Sequence, residues 1–255
     1  RQGARPLWPW QGIDHQAIRL QRTSPRALGA LQEALGELDT VYALALLPAL
    51  GALLQQHTGW PAVVLSPIHN LRAKLPGKLG LSPFTTVPWH QDYGASDPTV
   101  GPVTLVTAWV PLSPASPRHG GLELIPRSQR LGWLAHQRAE RGPEVDPTAL
   151  ATALEHHPDL KPVAIDAQPG DVVLFDQLTL HRSLPNRSHR TRWSLDLRYG
   201  CAGSITGRPG LWQRDPHIGE PVDAALMALV QQRCTAIANP ATRILKRVDL
   251  AASEG

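Results

Sequence analysis

A chain of 255 residues with 42% hydrophobic and 18% charged side chains has the length and apolar content for one large globular domain. Its net charge of +4 falls far short of the dense basic stripe of a nucleic-acid binder, and no apolar run reaches the roughly 18 residues of a membrane span. Two cysteines, Cys201 and Cys234, make no disulfide framework and point to a reducing compartment, the cytoplasm, with a small molecule as the expected partner.

Residues 1–26 hold Trp8, Trp10 and a Pro-rich entry without a clear period. Ser24-Pro25 then opens a helix-compatible stretch over 26–38, with Leu28, Leu31, Leu35 and Leu38 at spacings of three and four. A second such stretch covers 42–57, so residues 1–60 read as a helical flank. From Ala62 the pattern changes to short β-like runs. In the run 70–74, Asn70, Arg72 and Lys74 share one face while Leu71 and Ala73 share the other. Further runs follow at 63–65, 85–90, 103–112, 121–125, 162–167, 171–175, 178–181 and 192–199, and many of the 25 prolines and 21 glycines fall between them as turns. Many short strands with turns between them predict a mainly β jelly-roll core over 62–199. A helical insertion is expected at 132–160, and a C-terminal extension at 200–255 with a helix over 221–237. The whole reads as one domain.

Within this pattern the stretch Trp89-His90-Gln91-Asp92 stands out. Alternation along a strand puts His90 and Asp92 on one face, which is two-thirds of a metal clip. Two histidines and one carboxylate form the facial set that holds Fe(II) while leaving open positions, so a second histidine must come from another strand. A His-x-Asp pair also arises by chance, and His157-Pro158-Asp159 is a second copy. Its central proline suits a turn better than a strand, so it reads as a loop. His181 ends an apolar strand that follows the Pro169-Gly170-Asp171 turn, 89 residues after Asp92, which leaves room for the intervening strands. A dicarboxylate ligand needs a planar cation able to donate two parallel hydrogen bonds, and Arg187, Arg190, Arg192 and Arg198 all lie on or near the following strand. Arg72, Lys74, Lys78, Arg127 and Arg182 read either as a basic rim for a phosphate, carboxylate or CoA group or as solvated surface charge.

Several separated segments agree in order and spacing: Trp-His-Gln-Asp at 89–92, Ala108-Trp109, Gly120-Gly121-Leu122 ahead of Ile125-Pro126, and Pro169-Gly170-Asp171 running through His181-Arg182-Ser183-Leu184-Pro185-Asn186-Arg187-Ser188 to Arg192. In this respect residues 70–199 resemble the phytanoyl-CoA dioxygenase family of Fe(II)/2-oxoglutarate oxygenases. The resemblance implies a double-stranded β-helix (jelly-roll, cupin-like) core. It implies His90, Asp92 and His181 as iron ligands, with Arg192 and Ser183 on the distal carboxylate of 2-oxoglutarate and Trp109 and Asn70 lining the same pocket. O₂ is the implied oxidant.

Halogenating relatives carry a small residue in place of the carboxylate ligand, so the presence of Asp92 favours hydroxylation. The chain departs from the family pattern at Arg127-Ser128-Gln129 and at His119-Gly120, both expected near the mouth, where the loops 77–84 and 114–120 would gate the substrate. The expected activity is hydroxylation of an unactivated C–H bond of a small polar or anionic molecule, with release of succinate and CO₂. The alternatives are ring closure or desaturation at the same iron, or a ligand-binding jelly roll without turnover.

Overall fold

The computed structural model describes residues 11–66, 69–79, 86–95, 105–139 and 142–201. The expected C-terminal helix over 221–237, Cys234, Trp8, Trp10 and most of the loop 77–84 lie outside them.

Among the described residues four helices come first: α1 (Gln11–Thr23), α2 (Pro25–Gly36), α3 (Asp39–Ala45) and α4 (Pro48–Thr58). The stretch 42–57, read as one helix, is two, because Pro48 lacks the amide hydrogen an unbroken helix requires and instead opens α4. Helix α1 falls where no period was visible. Its apolar stripe is Ile13, Ala17, Ile18 and Leu20, among nine other residues that are polar save Gly12.

Ten strands follow among the described residues: β1 (Val63–Leu65), β2 (Asn70–Lys74), β3 (Leu105–Pro111), β4 (Leu122–Leu124), β5 (His136–Ala139), β6 (Gly142–Val145), β7 (Val163–Ala164), β8 (Val173–Asp176), β9 (His181–Ser183) and β10 (Arg192–Cys201). The major sheet is antiparallel throughout: β1 and β2 pair with successive parts of one edge of β10, and β3 and then β8 follow on the other side. The minor sheet runs β7-β4-β9. Trp109 and Phe175 of the major sheet pack with Leu122 of the minor one, so the two sheets face each other as a jelly roll.

Period-two alternation gives β10 two unlike sides. Trp193, Leu195, Leu197 and Tyr199 point outward and join Leu71, Ala73, Ala108 and Val110 in the main core, against Leu28, Val41, Leu50 and Leu54 of the helices. Arg192, Ser194, Asp196 and Arg198 point the other way, between the sheets. The helical layer therefore covers the back of the sheet and frees its front for chemistry.

Asp14 of α1 pins this layer. It accepts the indole hydrogen of Trp193 at 2.7 Å and the amide of Thr191 at 3.3 Å. Burial holds its carboxyl above the ordinary 3.8 although both donors work to lower it. A raised folded value means that the group's contribution to stability is full below the unfolded value and declines as pH rises through the folded one. Asp14→Ala, which orphans a buried indole N–H, should cost about 1–3 kcal/mol in urea unfolding. Asp14→Asn keeps one acceptor and should cost less, its gap to the wild type narrowing as pH rises from 4 toward neutrality.

The insertion at 132–160 is helical only in part. Its first half is the β5–β6 hairpin, and only α5 (Pro147–His156) is a helix. Gly142 and Pro143 disfavour helix ahead of α5, whereas Pro147 opens it and Asp146 caps it, accepting from the amides of Thr148 and Ala149. This unit covers the outer face of the minor sheet, where Ile125, Val145, Leu160 and Leu180 form a separate core.

Candidate active site

His90 does not lie in a regular strand. It forms a single bridge with His181, each amide donating to the other's carbonyl at 3.0 Å. Asp92 begins a short 3-10 turn (Asp92–Ala95), so the two residues meet through this bridge and turn rather than through strand alternation. The outcome is nonetheless a cluster: ligand atoms of His90, Asp92 and His181 all lie within 4.8 Å of one another. The two rings are held alike. Nδ1 of His90 lies 2.9 Å from the carbonyl of Pro88, and Nδ1 of His181 lies 2.9 Å from that of Thr179. A carbonyl can only accept, so each Nδ1 carries a hydrogen and Nε2 is the ring nitrogen left to meet a metal. Burial, and after it the neighbouring His181, pull the His90 pKa down to about 3, so this ring is neutral near pH 7. Phe175 packs against the His181 ring with centroids 4.5 Å apart.

The third donor is clamped from the sheet. Arg198 Nη2 donates to Asp92 Oδ1 at 2.8 Å, and Thr107 Oγ1 donates to Oδ2 at 2.5 Å. Arg198 and Thr107 are register partners on β10 and β3. Burial works to raise the Asp92 carboxyl, but Arg198, His181 and His90 beside it prevail and hold it well below the usual carboxylate range. A neutral imidazole, a second imidazole offering Nε2 and an ionised carboxylate make a donor set that fits a divalent first-row metal.

Two residues beyond His181, about 7 Å along β9, Ser183 points to the same side. Its Oγ accepts from Lys74 Nζ at 2.9 Å and from the amide of Val87 at 2.9 Å, so its own hydrogen remains to donate. Lys74 is 1% exposed and pairs in register with Arg192, itself 4% exposed. The Arg192 guanidinium donates to Ser194 Oγ and to the carbonyl of Gly120 at 3.0 Å and stands 5.5 Å over the Trp109 ring, while its Nε is buried and, among the described residues, without a partner. Among the described residues no carboxylate lies within salt-bridge distance of it. Burial lowers its pKa to about 10, which leaves it cationic at neutral pH. The carbonyl at Gly120 reaches it because Gly120 has φ +72 and a Cβ there would sit 2.8 Å from the carbonyl oxygen of Leu184.

Of the other arginines weighed from sequence, Arg187 and Arg190 are exposed, and Arg198 serves Asp92. Asn70 sits across β10 from Trp109, opposite Asp196, and four residues from Lys74. It is therefore Lys74, read from the sequence only as rim or surface charge, that reaches Ser183. Nor do the residues read either as a basic rim or as surface charge share one place. Lys74 turns inward, and Arg182 pairs with Glu123 at 2.6 Å on the outer side of the minor sheet, stacked on Trp89. Arg127 and Arg130 both hold Asp159, which places the second His-x-Asp copy outside the cluster. The loop 114–120 is tied by Ala115 to Ala167 and by Gly120 to Arg192, so it closes the floor beneath the guanidinium rather than hanging over the mouth.

The family model described as phytanoyl-CoA dioxygenase (PhyH) matches residues 21–194. The chain belongs to the phytanoyl-CoA dioxygenase family. It is an Fe(II)/2-oxoglutarate-dependent oxygenase, with Fe(II), 2-oxoglutarate and O₂ as its reagents. No curated protein sequence matches it. Among solved structures, the non-heme alpha ketoglutarate dependent carbocyclase SnoK from nogalamycin biosynthesis aligns with TM-score 0.51 and 21% identity, over 72% of this chain and 68% of its own. The epimerase SnoN, solved with Fe3+, alpha ketoglutarate and nogalamycin RO, aligns with TM-score 0.52 and 19% identity, over 82% and 81%. AviO1 from Streptomyces viridochromogenes Tue57 is 25% identical with TM-score 0.43, over 62% of this chain and 59% of AviO1. At these identities the first two bear out the jelly-roll fold of this family member. No helix among the described residues is long and apolar enough to cross a membrane.

Proposed function

We propose that this phytanoyl-CoA dioxygenase family member hydroxylates an unactivated C–H bond of a small polar or anionic molecule. The observation that carries the proposal is one continuous wall of ligands. Three metal donors stand at one end of it, and a buried guanidinium without a carboxylate partner among the described residues stands at the other.

In this reading His90 and His181 give Nε2, and Asp92 an oxygen, to iron. Ser183 donates its free hydroxyl hydrogen to the distal carboxylate of 2-oxoglutarate, and Lys74 and Arg192 supply the charge. Iron and the keto-acid together supply the oxidising chemistry, in which O₂ is consumed and succinate and CO₂ leave. Trp109, Phe175 and Leu122 keep bulk water from the space between. Trp109 also fixes the guanidinium plane by packing beneath it. Asn70 lies outside this group and is left to the substrate side.

The preference for a polar or anionic substrate rests on the inner face of the major sheet. There Arg72, Lys74, Arg192 and Arg198 face only Asp92 and Asp196 among the described residues. The single-domain division, with helical flank 1–60, core 62–199 and extension 200–255, belongs to the same proposal, as does a cytoplasmic setting.

Two measurements test it. Purified protein loaded with Fe(II) without oxygen should bind 2-oxoglutarate, and on admission of air it should form succinate. Failure to bind 2-oxoglutarate sinks the enzyme reading and leaves a metal-binding jelly roll. Once a substrate is found, a product heavier by one oxygen supports hydroxylation, whereas a product lighter by two hydrogens assigns ring closure or desaturation.

A further inference from the structure

We infer that Arg198, together with Thr107, is a positioning residue that aims the Asp92 carboxylate at the metal. The inference rests on the metal site proposed above and assigns a role to a side chain that touches neither the keto-acid pocket nor the surface rim. Asp92 has no strand to fix it. It opens a short 3-10 turn, so its carboxylate orientation comes from what it touches. Among its partners are two donors on adjacent strands at one register level, with one on each oxygen. β10 and β3 are central strands of the sheet, so both clamps stand on rigid ground.

Engaging each oxygen separately fixes the carboxylate plane against rotation. Turning it would take it off Arg198 or Thr107, at the cost of a buried charged donor or a buried hydroxyl left unpaired. Arg198 suits this role better than lysine, because its planar fork fixes direction as well as charge. Glutamine and methionine would supply neither the charge nor the fork.

The test uses the full chain loaded with Co(II), whose absorption intensity falls as coordination number rises. Wild type, Arg198→Lys, Arg198→Met and Thr107→Val are first checked for native circular dichroism. Each is then titrated with Co(II), with and without 2-oxoglutarate. Arg198→Met should lower Co(II) affinity about 10- to 100-fold, the usual effect of removing a group that orients a metal ligand. Arg198→Lys and Thr107→Val should each lose less, and all three should show altered Co(II) spectra. Should Arg198→Met fail to fold, the decision passes to Arg198→Lys, which keeps the charge. Affinity within twofold of wild type and an unchanged spectrum in that variant would overturn the role. Wild-type protein that takes up no Co(II) at all is a different result, and it overturns the metal site itself along with the clamp.

Discussion

Asp92→Asn and His181→Ala should each abolish 2-oxoglutarate-dependent succinate formation and weaken Fe(II) binding by about 100-fold or more. Loss of a group that merely orients a ligand costs 10–100-fold, and loss of a ligand exceeds that. The choice of asparagine matters at position 92. Alanine there would strand the buried Arg198 without its partner, a change costing about 3–5 kcal/mol, and loss of activity would then be confounded with loss of fold. Asparagine keeps an oxygen for Arg198 or Thr107 while removing the charge that the metal needs. At position 181 the backbone bridge to residue 90 survives side-chain truncation, so His90 stays in place. Metal titration beside a thermal melt reads both effects. Retained iron affinity in Asp92→Asn together with a native melt would show that the carboxylate is not a ligand.

Arg192→Met should raise the 2-oxoglutarate KM by roughly two to three orders of magnitude while leaving the apoprotein at least as stable as wild type. The two halves have one cause. Arg192 is a desolvated cation with one nitrogen unpartnered and no carboxylate within reach among the described residues, so in the empty protein its burial is a cost. Replacing such a charge by an apolar side chain of similar length is neutral or stabilising. When the diacid arrives the balance reverses, because truncating one side of a buried charge pair costs about 2–5 kcal/mol, and each 1.4 kcal/mol is tenfold. Arg192→Lys should fall between, keeping the charge and losing the fork. Initial-rate kinetics and urea unfolding separate the halves. A destabilised Arg192→Met with an unchanged KM would make the residue structural.

Much of this site was legible along the chain, for identifiable reasons. His181 and Ser183 are two apart at the end of a strand, so alternation alone puts them on one side. His90 and Asp92 were readable as a pair, although their meeting depends on a bridge and a turn that alternation does not describe. The face shared by Asn70, Arg72 and Lys74 was also visible, but not which of its ends enters the protein. That depends on how β2 registers with β10, a tertiary fact that places Lys74 opposite Arg192 and Asn70 opposite Asp196. Arg198 was considered for the keto-acid because spacing cannot tell one inward arginine from another; only its approach to Asp92 does. Helix α1 was missed because four apolar positions among polar neighbours, one of them only alanine, give a faint period. The helical reading of 132–160 carried the strong signal of α5 across a hairpin whose glycine and proline argued against it.

The tenth strand serves two masters: Trp193, Leu195, Leu197 and Tyr199 hold the molecule together while Arg192, Ser194 and Arg198 equip its cavity. Dropping a single position from the middle of that ribbon would invert everything downstream of the gap, burying guanidinium among leucines and turning phenol or other apolar side chains into the space between the sheets. Evolution can therefore exchange letters here far more freely than it can change their number, and a new specificity has to be written in the loops.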